Sequence, residues 1–268
     1  MVNYKNMKKS ALLALWFASC TSMLALGEEK IPENLLTDFT STDWPTVLQA
    51  KENIENLEAA GIPQLILLLD DFSVRKLINT SDLIYPGAQR FYGHGQIVDY
   101  SIDEIAIRAG WLIEDIAFQN FGFTGYHLPD DELTGFIEYN FPDYYENTRN
   151  KNSLKKMSVP EKRNLIKSLS IKKAQNWWKR ESDNWNRLDA LVSALQSDDE
   201  KRQVKALFYI RNGKTKCTGL NKAFYQANIE SIVRSLSRVD LKRVSENAKL
   251  IMMDMDYEWL QMKSGDPS

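Results

Sequence analysis

The feature that most constrains this chain is the spacing of its apolar residues by three and four positions, which is the period of an α-helix. Val47, Ala50 and Ile54 recur in this way after Pro45, which suits the first turn of a helix. The pattern runs to Gly61, a residue that suits the position just after a helix. Alternating, strand-like patterns are rare, so the sequence predicts an all-α fold.

The pattern continues beyond this first helix. Pro63 begins a second, more apolar helix that is predicted to end near residues 70–71. A third, short helix is predicted over residues 74–78. Two helices joined by a single glycine-containing turn form a helical hairpin.

Residues 146–268 carry further helix signals. Ser158 and Glu161 have the spacing of a capping box ahead of a long helix. Asp198 is predicted to cap a helix that ends near Gly213, and the apolar spacing predicts two more helices after it, over residues 229–236 and 244–260. Between these signals lie three tryptophans whose helical spacing favours packing in the core: Trp177, Trp178 and Trp185.

Two stretches carry a resemblance to a known class of repeat. Residues 53–65, NIENLEAAGIPQL, resemble the helix-turn-helix portion of armadillo-type repeats, and residues 188–210 resemble the second helix, the acidic turn and the following helix of a HEAT repeat. The resemblance implies helical hairpins stacked on one another, either HEAT-like or as an irregular α-bundle. No regular period connects the two stretches.

The first residues have the features of an export signal. Three lysines precede apolar runs at 11–17 and 23–26, and no acidic residue occurs before Glu28. Ala25 and Gly27 are small residues at the minus-three and minus-one positions before Glu28, as a signal-peptide cleavage site requires. The pattern predicts a secretory signal peptide of bacterial type, and hence a periplasmic or secreted protein.

Two alternatives for this leader stay open. Residues 17–20, Phe-Ala-Ser-Cys, resemble the lipobox of bacterial lipoproteins, which implies lipidation of Cys20 and an outer-membrane lipid anchor. A transmembrane anchor is disfavoured, because residues 19–22 interrupt the apolar run below the roughly 20 residues that a span needs. The longest later apolar run covers 65–69, so no transmembrane span is predicted in the mature chain. Cys217 is then the only cysteine after the leader, and we expect a small apolar core residue there.

Charge is distributed unevenly along the chain. Residues 28–145 contain 6 Lys or Arg against 21 Asp or Glu, whereas residues 146–268 contain 25 against 15. Because the positive residues are spread through amphipathic helices, this asymmetry favours docking of two oppositely charged parts over polyanion binding. Nucleic acid is not an expected partner.

Composition also separates the chain into regions. A helical hairpin region over 28–84 is followed by an acidic insert over 85–145 and a basic helical region over 146–268, unless everything after the leader forms one domain. The insert holds 14 aromatic residues and 7 of the 12 glycines. One helix is predicted within it, with Ser101 as its N-cap and Glu104 in a capping box.

The candidate site lies in the loops that flank this predicted helix, because both histidines of the chain fall there. Aromatic side chains beside carboxylates are typical of a sugar-binding cleft, and a pair among Asp99, Asp103, Glu104, Glu114 and Asp115 could then serve as acid and base. Packing of the aromatics in the core is the simpler interpretation. The candidate binding residues are Tyr92, His94, Asp99, Trp111, Tyr126 and His127.

These observations leave two functions open. The first is an exported α-helical binding or interaction module of the cell envelope, whose partner is a protein or an envelope glycan. The second is a hydrolase that acts on an envelope polysaccharide through residues 85–145. No nucleotide-binding, phosphate-binding, metal-binding or hydrolase motif is present, so no cofactor and no metal is expected.

Overall fold

The computed structural model describes residues 31–81, 83 and 101–264, and most of this part of the chain is helical. The prediction of an all-α fold is confirmed. β-Bridge pairing occurs in the described part only as two isolated bridges, which join Asp43 to Ile78 and Val74 to Glu104. The helices are α1 (Glu33–Phe39), α2 (Trp44–Glu55), α3 (Ile62–Leu68), α4 (Ile105–Ala117), α5 (Leu133–Asn140), α6 (Pro142–Tyr145), α7 (Thr148–Leu154), α8 (Val159–Glu181), α9 (Arg187–Leu195), α10 (Glu200–Asn212), α11 (Lys222–Phe224), α12 (Glu230–Leu236), α13 (Lys242–Asp254) and α14 (Tyr257–Ser264).

Helix α2 is shorter than its apolar pattern predicts. It begins at Trp44, where the Asp43 side chain accepts a hydrogen bond from the Thr46 N–H (3.1 Å). It ends at Glu55, and a 3₁₀ turn then leads directly into α3. Gly61 does not terminate the first helix, because it has an ordinary φ of −75° and stands at the start of α3.

The predicted helix over residues 74–78 is wrong, because this stretch is extended. Its backbone pairs with two other parts of the chain instead of with itself. Ile78 exchanges hydrogen bonds with Thr42 and Trp44, and the Arg75 N–H donates to the Asp103 carbonyl. These long-range bonds satisfy the groups that a single helical turn would have satisfied locally.

Helix α4 is the most buried helix of the described part, since only Asp115 among its residues keeps appreciable exposure. Its predicted start is wrong: residues 101–103 form a 3₁₀ turn, the helix begins at Ile105, and Glu104 makes no side-chain cap. Gly110 allows the ring of Phe123 to pack directly against this helix. A Cβ at this position would clash with that ring.

The later helices follow the sequence prediction more closely. Helix α8 starts with the predicted capping box, in which Glu161 accepts a hydrogen bond from the Ser158 N–H (2.7 Å). The cap of α10 is Asp199, one residue after the predicted Asp198. The last predicted helix, over residues 244–260, is divided into α13 and α14.

Three clusters of buried apolar residues form the core of the described part. The first combines side chains from α2, α3 and α4 with Trp177 of α8, and Trp178 and Trp185 pack against it. The second joins the last six helices to Phe118 at the end of α4 and includes Cys217, and the third joins α5 to α7 and α8. The predicted core packing of the tryptophans is confirmed, as is the apolar setting of Cys217, whose burial raises the pKa of the thiol to about 12.

Ion pairs connect the acidic and basic parts of the chain. Lys167 pairs with Glu104 (2.8 Å), and Lys205 pairs with Asp115 (2.9 Å). Such pairs match the docking of oppositely charged parts that the charge distribution predicts. Within the described residues, no helix has the length and apolar character required to cross a membrane.

Candidate functional site

Three of the predicted site residues lie together in the structure. The ring centroid of Trp111 is 5.4 Å from that of His127, and the ring of Tyr126 lies 6.3 Å from His127 at an interplanar angle of 90°. The other predicted site residues lie outside the described residues, as does the lipidation candidate Cys20: they are Tyr92, His94 and Asp99.

Two rigid elements position these three side chains. Trp111 lies in the middle of α4 and is only 7% exposed. Tyr126 and His127 end the 3₁₀ turn Phe123–His127, which follows a left-handed glycine at Gly122 (φ 106°). A side chain at Gly122 would be strained in that conformation, so the chain needs glycine there to turn back over α4.

Arg163 of α8 holds the end of this turn. Its guanidinium donates to the carbonyl of Tyr126 (3.2 Å), to the carbonyl of Leu128 (3.1 Å) and to the carboxylate of Asp130 (2.8 Å). Because a planar guanidinium fixes several acceptors at once, the backbone under Tyr126 is held in one position.

A lysine and a phenylalanine complete the cluster. The Lys167 ammonium lies 5.8 Å from the ring centroid of Tyr126 and 5.1 Å from that of Phe72, and it donates two hydrogen bonds to Glu104. Phe72 is 55% exposed, and His127 is also exposed. We refer to Phe72, Trp111, Tyr126, His127 and Lys167 as the aromatic site.

The histidine of this site is neutral at pH 7. Desolvation of its ring, followed by the positive charge of Arg163, lowers the pKa of His127 to about 4. The ring lies against Trp111 although the residue as a whole retains exposed surface. The His127 ring is therefore uncharged, with one nitrogen that donates and one that accepts hydrogen bonds.

The described carboxylates of the predicted acid and base set have structural partners. Asp103 accepts a hydrogen bond from the Leu77 N–H (2.9 Å), and Glu104 is held by Lys167. Burial of Asp115 opposes its ionisation, but the charges of Lys205 and Lys51 outweigh it and lower the pKa to about 2. Asp115 therefore remains ionised as the centre of two ion pairs.

Glu114 has a comparable role at the end of α4. One of its oxygens accepts hydrogen bonds from the N–H groups of Phe121 (2.7 Å), Gly122 (2.8 Å) and Phe123 (3.3 Å). Burial raises the pKa of Glu114, against the charge of Lys205 and these N–H donors. The carboxylate anchors the loop that leads to Tyr126 and is only 2% exposed.

The sequence reasoning missed the contributions of Phe72, Arg163 and Lys167. Arg163 and Lys167 are four residues apart on a predicted helix, so their shared face was available as a signal. No comparable signal was available for Phe72, because the residues that follow it were predicted to form a helix. In the described part, no cluster of three or more histidines, cysteines, aspartates or glutamates has the arrangement of a metal site.

Comparison with the models of known protein families, with curated proteins and with solved structures finds no match to this chain. The function must therefore be argued from the site itself.

Proposed function

We propose that this chain is a binding module whose contact surface is the aromatic site. The observation that carries the proposal is that the side chains around α4 fall into two groups with different surroundings. Phe72 and His127 are exposed, Tyr126 is half-buried on a fixed backbone, and the buried Trp111 packs against His127, whereas the neighbouring carboxylates are used as structural anchors. Rigid aromatic side chains with polar edges are the groups that dominate contact energies in binding sites.

The same contacts weigh against hydrolysis through this site. A glycoside hydrolase needs two carboxyl groups that face one cleft, one of which can give up and regain a proton. Glu104 and Asp115 are instead bound to lysines, and Glu114 is buried under three backbone N–H groups. We therefore favour binding of an envelope protein or glycan without cleavage.

Photo-cross-linking tests this proposal in the producing cell. With Tyr126 replaced by p-benzoylphenylalanine, we expect a discrete covalent adduct after irradiation, because the benzophenone inserts into C–H bonds of peptides and sugars alike. The matched control is the same replacement at Tyr139, which is 66% exposed on α5 and outside the aromatic site. A second change, His127→Ala, should reduce the adduct at position 126 at least about tenfold.

Two results would contradict the proposal. One is an equal yield of the same adducts at positions 126 and 139. The other is release of reducing ends from isolated peptidoglycan by the purified protein, if Glu104→Gln or Asp99→Asn stops that release. The second result would establish the hydrolase instead.

We also propose that the chain is exported, on the basis of its first 27 residues. Mass spectrometry of the protein purified from its own cells should find an N-terminus at Glu28. A diacylglyceryl-modified Cys20 as the first residue would establish the lipoprotein alternative. An intact Met1 on the functional protein would refute both forms of export.

A further inference from the structure

Helices α7 and α8 carry a strong excess of positive charge. Residues 147–180 contain 11 Lys or Arg and a single acidic residue, Glu161. With the bordering acids included, residues 146–183 still contain 11 basic residues against 4 acidic ones. Glu161 accepts the hydrogen bonds of the α8 capping box and pairs with no basic residue of the described part.

Contacts within the described part of the chain use a minority of this charge. Arg163 pairs with Asp130 (2.8 Å). Lys167 pairs with Glu104 (2.8 Å), and Lys173 donates to a backbone carbonyl (3.0 Å). Six others are exposed and form no ion pair with a described residue, and we refer to them as the basic face: Arg149, Lys155, Lys156, Lys172, Lys179 and Arg180.

The basic face extends along two helices that pack against each other. Leu154 of α7 and Ile166 of α8 belong to the same buried cluster. Lys172 and Lys179 are seven residues apart, which is about two turns, so they lie on the same side of α8. Other members lie just before the first turn of α8 and in its last turn. The rise of the helix between these positions separates the two ends of the basic face by about 30 Å.

The basic face is separate from the aromatic site. Lys167 is the residue of α8 that belongs to the aromatic site, and its ammonium group is held by Glu104. Five positions, or about 140° around the helix, separate Lys167 from Lys172. An inference about the basic face therefore does not depend on the function proposed for the aromatic site.

We propose that the basic face holds the protein against a membrane surface that carries anionic phospholipids. Clusters of four to eight Lys or Arg on an amphipathic helix are typical of this kind of recognition. A long row of separate cations matches negative charge that is spread over a surface better than it matches one compact ligand. Four of the six are lysines, whose ammonium groups attract phosphate as point charges without a fixed geometry. The proposed export would also place the chain beside a membrane.

Co-sedimentation with lipid vesicles tests this proposal. The protein is taken as its own cells produce it, with Cys20→Ala in every sample so that no lipid on that cysteine contributes. We expect binding to vesicles of equal parts phosphatidylglycerol and phosphatidylcholine, and at least about tenfold weaker binding to pure phosphatidylcholine. Because charge attraction is screened by salt, raising NaCl from about 0.05 M to about 0.5 M should remove most of the binding to the anionic vesicles.

The decisive variant replaces four lysines of the basic face with glutamine: Lys155, Lys156, Lys172 and Lys179. Each lysine near an anionic surface contributes about fivefold to binding, so this variant should bind the anionic vesicles at least about a hundredfold more weakly. The matched control makes the same change of net charge at four exposed residues outside α7 and α8, and should lose about tenfold or less: Lys214, Arg238, Lys242 and Lys249. Arginine at the four basic-face positions should retain binding, because it keeps the charge.

Thermal unfolding of the glutamine variant should match that of the parent protein, which separates loss of binding from loss of fold. Three outcomes would overturn the proposal: equal binding by the variant and its matched control, equal binding to neutral and anionic vesicles, and binding that does not respond to salt. If the basic face binds duplex DNA or soluble polyphosphate while the parent protein does not bind the anionic vesicles, its ligand is a soluble polyanion and the membrane proposal fails.

Discussion

Replacing Arg108 with leucine is expected to lower the free energy of unfolding by about 3 kcal/mol or more. The guanidinium is buried and donates to four backbone carbonyls that come from separate parts of the chain. A leucine leaves these acceptors without their donors inside the core, and each buried acceptor costs about 1–3 kcal/mol when it stays unsatisfied. The carbonyls belong to Phe39, Ser41, Arg75 and Ile102.

Urea denaturation of the full chain checks this result, with Arg238→Leu as the control at an exposed arginine. Arg108→Lys should rescue little, because one ammonium group cannot reach four acceptors that a planar guanidinium spans. Burial lowers the pKa of Arg108 to about 10, which still leaves it charged at neutral pH. A loss below about 0.5 kcal/mol for Arg108→Leu would mean that these hydrogen bonds do not hold the segments together.

The sequence predicted helices wherever local signals determined the outcome. The capping box of Ser158 and Glu161 is correct because both partners lie within one turn and face solvent. The similar pattern at Ser101 and Glu104 failed, because Glu104 is held by Lys167, which is 63 residues away. A single sequence shows the capping pattern, but it does not show that a distant lysine lies close enough to compete for the same carboxylate.

The candidate site was predicted in part. The turn that follows α4 folds back over that helix after Gly122 and brings Tyr126 and His127 close to Trp111, whereas the loop that precedes α4 lies outside the described residues. The roles of the carboxylates could not be predicted from the order of the elements along the chain. Lys205 and Lys51 come from helices on either side of Asp115 in the chain, and only the packing of those helices determines which acid each lysine meets.

The distribution of charge along the sequence predicted more about the fold than the net charge does. The acidic and basic parts meet in specific pairs, and one continuous chain of contacts runs from Arg187 through Glu55, Lys51 and Asp115 to Lys205. The asymmetry predicted that such pairs exist, but not that Arg187 is buried and also donates to backbone carbonyls. The Arg187–Glu55 pair is buried and connects α9 to α2, so removal of either partner would leave an unpaired charge in the core.

The burial of Lys263 is expected to lower the stability of the protein, in contrast to the buried arginines discussed above. Lys263 of α14 is 3% exposed, and its ammonium group donates to the Tyr209 carbonyl (2.7 Å) and lies over the rings of Tyr209 (4.1 Å) and Trp259 (3.1 Å). Desolvation lowers its pKa to about 6, and the charge of Arg187 acts in the same direction. The aromatic rings offset part of this cost, because their faces attract a cation.

Lys263→Met should therefore stabilise the protein by about 1–3 kcal/mol at pH 7. A lysine in the unfolded chain has a pKa of about 10.4, so between about pH 6 and 10 the unfolded state binds the proton more tightly than the native state. The free energy of unfolding of the wild type then rises with pH across this window. Because methionine does not titrate, the advantage of the variant should be largest near pH 6 and should decline toward pH 10.

Urea denaturation of wild type and variant at several pH values measures this difference directly. The Tyr209 carbonyl keeps its hydrogen bond from the Gly213 N–H in the variant (2.9 Å), so no buried acceptor is orphaned. Lys214→Met, at an exposed position, is the control and should give a difference that does not vary with pH. If Lys263→Met destabilises the protein equally at every pH, the contacts with Trp259 and Tyr209 outweigh the cost of burying the charge, and the lysine holds α14 in place.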